Sequence, residues 1–250
     1  MLFRSIDPSL IVVTPRTKAI IAVHTYGLPC DMDKLMSFGV PVIEDSAEAH
    51  GAKYKGRMCG SVGDIGCFSF FANKTITTGE GGMVITNNAV YAKEIKLLKD
   101  QYNGNIKFKH DGIGYGMSLG AMQCALGYSQ LKRLFPMVQR KRDIALKYTK
   151  ELLDVVDVPL EKNGIHSYWM YAIRGKVGLK EFLNKNGIES RPGFFPLHLQ
   201  PPYVSGISLP VAERLYRDVV CLPCGLGITD EEQEKVIHTI KEFYPSKNDF

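Results

Sequence analysis

AIIAVHTYGLPCDMDKLMSFGVPVIEDSA, residues 19–47, holds two short apolar runs with an amphipathic stretch between them. Ala19 to His24 and Pro41 to Ala47 are compact, rich in β-branched residues and polar at their downstream ends, the pattern of buried strands. Between them Met32, Leu35 and Met36 recur at helical spacing, behind Asp31 as a cap and before Gly39 as a stop. Strand, helix and strand in that order give a parallel pair, so the expected class is α/β with a mostly parallel sheet flanked by helices. Downstream, DIGCFSFFA (64–72) reads as a third strand, and GGMVITNN (81–88) as a fourth that follows a tight turn and can run antiparallel. Residues 89–102 and 119–134 place apolar side chains at intervals of three and four, as helices do.

From about Arg140 the pattern changes to a long helix ending near Leu153, a strand at SYWMYAI (167–173), a helix near Leu179 to Asn186 and a last helix from Thr229 to Phe243. This divides the chain into a large domain, 1–139, and a small C-terminal α+β domain, 140–250. RPGFFPLHLQPPY (191–203), rich in proline and aromatics and without periodicity, reads as a loop.

The 250 residues are 45% hydrophobic and 23% charged, with a formal net charge of +5 spread along the chain, so the composition is that of a folded globular protein. No basic arm points to nucleic acid, and the densest basic stretch, Lys132 to Lys150, is interrupted by Leu134, Val138, Ile144 and Tyr148, which makes it a solvated helix face. Six scattered cysteines imply reduced thiols, and Cys221 and Cys224 read as a buried strand end with no metal site around them. The N-terminal apolar run is closed at Pro15 and Arg16, and no stretch has the length of a membrane span, so the expectation is a cytoplasmic protein with no membrane or nucleic-acid partner.

In open α/β sheets ligands gather beyond the carboxyl ends of the strands. Asp45 ends one strand there, Glu48 follows on the next turn, and Ser69 and Lys74 bracket the end of another. A lysine desolvated at such a place becomes a nucleophile toward carbonyls, and a carboxylate nearby can pair with a protonated pyridine nitrogen. Spacing alone is equally compatible with a solvated lysine, a turn-capping aspartate and a plain hairpin turn at TTGEGG (77–82).

Residues 44–51, EDSAEAHG, together with FSFFANKTITTGEGG (68–82), resemble the PLP-dependent nucleotide-sugar aminotransferases of the DegT/DnrJ/EryC1/StrS family, and within it the perosamine-synthase type. GIESRPGFFPLHLQPPY and VVCLPCGLGITDEEQEKVIHTIKEFY extend the similarity over nearly the whole chain. The resemblance implies a fold-type I PLP-transferase-like architecture and pyridoxal 5'-phosphate as cofactor. It makes Lys74 the Schiff-base lysine and Asp45 the partner of the pyridine nitrogen. Glu48 stands beside the ring hydroxyl, Ser69 binds the phosphate, and Ala47 packs against the ring face. It further implies transamination of a nucleotide-linked keto-sugar with L-glutamate as amino donor, in a homodimer, with Lys74 as the proton shuttle. Some family members carry histidine at this lysine and dehydrate instead; Lys74 argues against that here. His198, Arg191 and Phe194 lie in the loop that approaches the substrate or dimer partner in relatives, where loop packing and surface charge are the alternative reading. His24 and His50 fit hydrogen-bonded structural roles as well as catalytic ones.

Two departures from the family stand out. The match begins almost at Met1, so the expectation is an incomplete sheet that lacks the family's N-terminal portion, with part of the phosphate site and a ring-stacking aromatic, and that exposes an edge and apolar faces. Gly116 and Ser118 replace the asparagine and arginine of the family's G-Y-N-x-R. Each lost charge-assisted contact to a phosphate costs about 1.5–3 kcal/mol. Two other readings therefore stay open: a non-catalytic relative that binds a partner subunit or sugar nucleotide, and a fragment of a longer enzyme.

Overall fold

The computed structural model describes residues 5–162, 164–204 and 206–244, which fall into two compact units. Residues 5–138 with 162 and 164–169 form the first; residues 139–161, 170–204 and 206–244 form the second.

The first unit runs β1 (Ile20–Val23), α1 (Met32–Met36), β2 (Val42–Asp45), β3 (Lys53–Tyr54), β4 (Arg57–Met58), β5 (Ile65–Ser69), β6 (Gly82–Ile85), α2 (Ala89–Lys99) and α3 (Ala121–Leu131). The first turn of α4 (Leu134–Leu152) and the short β7 (Gly164–Ile165) complete it. Its main sheet has the order β1-β2-β5-β6, with the first three strands parallel and β6 antiparallel to β5. Asp31 caps α1 by accepting the Lys34 N–H, as its position before the apolar repeat predicts.

Strand alternation gives this sheet two unlike faces. Ile20, Ala22, Val42 and Glu44 point into a core with Met32, Leu35 and Tyr54. The strand register aligns Ile21, Ile43 and Ile65 in one row of the opposite face, and Val23, Asp45, Cys67 and Val84 in the next. On that face Ile21 is 59% exposed, Val23 39% and Val84 44%, although parallel strands usually bury both faces. The exposed apolar face expected from the sequence is therefore present among the described residues.

Sequence periodicity did not reveal a second, smaller sheet, β4-β3-β7, because two-residue strands carry no pattern. Lys55 (φ 46°) and Gly56 (φ 84°) make the two-residue turn between β3 and β4, a turn that needs positive φ at both positions. Pairing of β3 with β7 then carries residues 166–169 into the first unit.

The second unit continues α4 and adds β8 (Tyr171–Arg174), α5 (Leu179–Lys185), β9 (Arg191–Pro192), α6 (Pro210–Asp218), β10 (Val219–Leu222) and α7 (Asp230–Phe243). Its antiparallel sheet is ordered β8-β10-β9, and all four residues of the central β10 are buried. Two expectations change here. The loop 191–203 contains β9 and two short 3-10 turns, because Arg191 and Pro192 pair with the β10 backbone. The basic stretch of α4 is not wholly solvated: Lys141 falls on the buried stripe with Ile144, Ala145, Tyr148 and Leu152, and donates to the Cys224 carbonyl at 3.1 Å. Arg140 likewise donates to the Ile228 carbonyl at 2.7 Å, and Arg142 pairs with Glu161. Carbonyls past the end of β10 recruit Lys141 and Arg140. Cys221 and Cys224 are buried, and none of the six cysteines is in a disulfide. No described helix is long and apolar enough to cross a membrane.

Candidate active site

The segment between β5 and β6 is held at many points. Phe70 N–H donates to the Gly81 carbonyl at 2.8 Å, and Thr78 N–H to the Phe70 carbonyl at 2.9 Å. Thr77 and the Gln130 side chain exchange two hydrogen bonds at 3.0 Å, and Ile76 is buried against Leu134 and Val138. Gly79 (φ +79°) and Gly81 (φ +138°) supply backbone that other residues adopt with strain. The turn that opens with Lys74 is thus clamped by its own loop and by α3. Ser69 closes β5, its Oγ accepting the Phe71 N–H at 3.2 Å, which leaves its O–H to donate.

The Lys74 side chain is 11% exposed, with Nζ 4.0 Å from Glu48 Oε1 and 4.0 Å from the centroid of the Trp169 ring. Burial holds this amine below the ordinary lysine range, against the opposing pull of Glu48 and Asp45. Burial likewise raises the Glu48 carboxyl, helped by Asp45 and opposed by the Tyr26 N–H, which donates to Oε2 at 2.6 Å, and by Lys74. Asp45 ends β2 with Oδ1 accepting the Ala47 N–H at 3.1 Å, so Ala47 lies on the turn leading to Glu48. Lys74, Asp45 and Glu48 therefore form one electrostatic group.

Three further residues belong here without any local signal in the sequence. Tyr26, at φ 58°, turns its N–H onto Glu48 and its ring toward Trp169. Trp169 lies before β8, outside the strand that SYWMYAI suggests, because residues 166–169 pack on the turn after β1. Cys67 pairs with Asp45 in register, and its thiol is raised by burial and by that carboxylate. His50 lies between Phe68 and Phe70 with both ring nitrogens unpartnered; burial and then Lys74 push it down to about 4, so the ring is neutral.

His24 has a structural place. Its Nδ1 accepts the Cys30 N–H at 3.0 Å and its Nε2 faces Glu44 Oε2 at 2.9 Å. Burial opposes a charge on this ring, while Cys30, Cys59 and Glu44 favour one. The N–H aimed at Nδ1 decides, because a protonated Nδ1 would confront it; the neutral tautomer donates from Nε2 to Glu44. His24, Glu44 and Cys59 offer metal-ligand atoms within 4.8 Å of one another. Glu44, however, already accepts from Gly60, Val62, Gly63 and His24, which fills a carboxylate's four lone-pair positions. That cluster is a hydrogen-bonded hub.

His198, Arg191 and Phe194 lie in the second unit. His198 bonds to Glu213 at 3.1 Å with its side chain 8% exposed, Arg191 is exposed beside Glu189, and the Phe194 side chain is 60% exposed. Ser118 accepts from Lys99 at 3.2 Å, and Gly116 bridges Asp100.

A family model described as the DegT/DnrJ/EryC1/StrS aminotransferase family matches residues 5–241, and the chain belongs to that family. GDP-perosamine synthase of Escherichia coli O157:H7 is 39% identical over 247 residues, covering 94% of this chain and 68% of that protein. The crystal structure of DesV from S. venezuelae, solved in complex with a ketimine intermediate, superposes with a TM-score of 0.92 at 30% identity over 98% of this chain and 70% of that one. Spr1654 from Streptococcus pneumoniae, solved in a PLP form, gives a TM-score of 0.87 at 26% identity over 97% and 73%. The chain spans about two thirds of the length of the GDP-perosamine synthase it matches. Family aminotransferases act on sugar substrates with an amino donor and depend on pyridoxal 5'-phosphate, so the expected fold, family and cofactor are those found. The donor set fits that cofactor: a desolvated amine for its aldehyde, carboxylates in electrostatic reach and a hydroxyl with its O–H to give.

Proposed function

We propose that this chain carries the catalytic lysine of a PLP-dependent aminotransferase that moves an amino group from L-glutamate to the keto carbon of a nucleotide-linked sugar. The proposal places it in the cytoplasm as a homodimer. One observation carries the reading: a buried amine against the face of Trp169, 4.0 Å from a carboxyl whose proton affinity burial raises.

Bound pyridoxal phosphate supplies an electron sink for the pair released when the amino-bearing carbon loses its proton. The chain's own residues do the rest. Lys74 Nζ is the covalent anchor and, once displaced by the incoming amine, the base that carries that proton. Its lowered proton affinity provides more neutral amine near pH 7 than an exposed lysine has. Asp45 would pair with the protonated pyridine nitrogen, Glu48 would serve the ring hydroxyl, Ser69 would donate to the phosphate, and Ala47 would leave flat space for the ring. Arg191, Phe194 and His198 are the proposed sugar-nucleotide contacts. Six cysteines with no disulfide among them fit a reducing compartment.

Mixing purified chain with PLP, reducing with borohydride and mapping the label by mass spectrometry tests this. The label is expected on Lys74, with the visible band absent from Lys74→Ala. A band that survives that substitution, or a label on another lysine, would sink the assignment.

A further inference from the structure

Trp169 is the single tryptophan of the chain, and an unusual stretch of backbone brings it to Lys74. Residues 166–169 follow β7 and pack on the turn after β1. Ser167 N–H donates to the Gly27 carbonyl at 3.1 Å, and a side chain at Gly27 would collide with Ser167. Tyr168 sits at φ 50°, its N–H donating to His166 Nδ1 at 2.9 Å and its ring stacked on that imidazole at 3.8 Å. Tyr26 sits at φ 58°. A left-handed backbone at a bulky residue costs about 1–2 kcal/mol and persists only where its surroundings impose it. Two such residues, one preceding Trp169 in the chain and one stacked on its indole, mark a geometry that the fold enforces.

The indole is fixed as well. Its Nε1–H donates to the Asn73 carbonyl at 2.9 Å, from the residue just before the lysine, and Tyr26 stacks on it with an interplanar angle of 23°. The ring is 7% exposed and its face meets the amine. Tyr26 also gives its N–H to Glu48, so indole and carboxyl share one support.

We propose that Trp169 is a positioning residue for Lys74: its indole holds the ε-amine toward Glu48, shuts water away from it and thereby sets the pH at which the amine reacts. This rests on the reading of Lys74 as the cofactor-linked lysine. The ring has two opposed effects, since its face attracts an ammonium while its bulk removes the water an ammonium needs. The other groups around the amine are Glu48 and Asp45, which favour charge, and neutral His50. Burial of the amine outweighs the two carboxylates, and the indole face 4.0 Å away is part of what buries it.

Because the chain has one tryptophan, its fluorescence reports on this contact with no cofactor present. An alkaline titration of emission is expected to show a step below the ordinary lysine range that disappears in Lys74→Met. A step unchanged in Lys74→Met overturns the proposal even if PLP labels Lys74 normally. The second arm follows PLP adduct formation against pH in wild type, Trp169→Phe and Trp169→Ala, each checked for folding by circular dichroism. The Ala variant is expected to shift the midpoint upward by on the order of one pH unit, and the Phe variant, which keeps a ring, by much less. A folded Ala variant with the wild-type midpoint overturns the proposal. If wild type forms no adduct on Lys74, the reading of Lys74 fails instead, and the fluorescence arm still decides the contact.

Discussion

Glu44 and Glu48 are four residues apart, and burial acts on both carboxyls, yet the fold treats them oppositely. Glu44 points to the core face of β2 and accepts from three backbone N–H groups and His24. Burial alone would raise it, but His24 and the N–H groups of Gly63 and Gly60 hold it below the usual carboxylate range. Glu48, past the end of the same strand, accepts one backbone N–H and stays raised. Two lysines repeat the contrast: Lys141 bonds to the Cys224 carbonyl, whereas the amine of Lys74 meets an aromatic face and a carboxyl at 4.0 Å. A charge whose hydrogen bonds are all satisfied within the fold is scaffold, and one left short keeps chemistry available.

Substitutions can break or sharpen that contrast. Lys74→Ala should have the largest effect, complete loss of the visible band formed with PLP, while the urea midpoint holds or rises because a poorly solvated amine is gone. Loss of folding in that variant would place Lys74 with the scaffold.

Glu44→Gln should cost about 3–5 kcal/mol in urea unfolding, because it puts an amide donor among groups that already donate. Glu48→Gln should stay within about 1 kcal/mol of wild type, since its amide oxygen still accepts the Tyr26 N–H. Equal losses in the two variants would erase the distinction.

His50 provides a pH test. Its ring takes a proton at about 4 in the fold against 6.5 in the open chain, so between those values the unfolded state binds more protons and stability falls as pH falls. Over about 2.5 pH units at about 1.4 kcal/mol each, the loss is on the order of 3 kcal/mol. His50→Phe, which keeps a ring against Phe68 and Phe70, should flatten that part of the urea-derived stability profile. An unchanged slope would show that the ring is hydrated.

Lys141→Met should cost less than Glu44→Gln, about 1–2 kcal/mol from the lost bond to the Cys224 carbonyl, with the PLP band intact. A weakened band there would move Lys141 out of the scaffold.

Much of this was legible along the chain. Periodicity located β1, α1, β2, β5, β6 and the long helices, and the pattern around Lys74 pointed to the family that the comparisons confirm. What escaped had physical reasons. β3, β4 and β7 are two residues long, too short for any period, and their pairing helps carry Trp169 toward Lys74. Lys141 looked solvated because a charged residue on an apolar stripe reads as surface until a carbonyl is found for its amine.

Local order along the chain was enough to specify alternation, helix spacing and turn chemistry, and through them a parallel α/β core with Asp45 and Lys74 at strand ends. Side-chain period and backbone preference depend only on near neighbours. Which amine is dry, which carboxyl is saturated and which ring covers which charge were decided by tertiary structure alone. Solvation and hydrogen-bond satisfaction belong to the space around an atom, and groups distant in sequence, such as Glu44 with Gly60 or Lys74 with Trp169, fill that space.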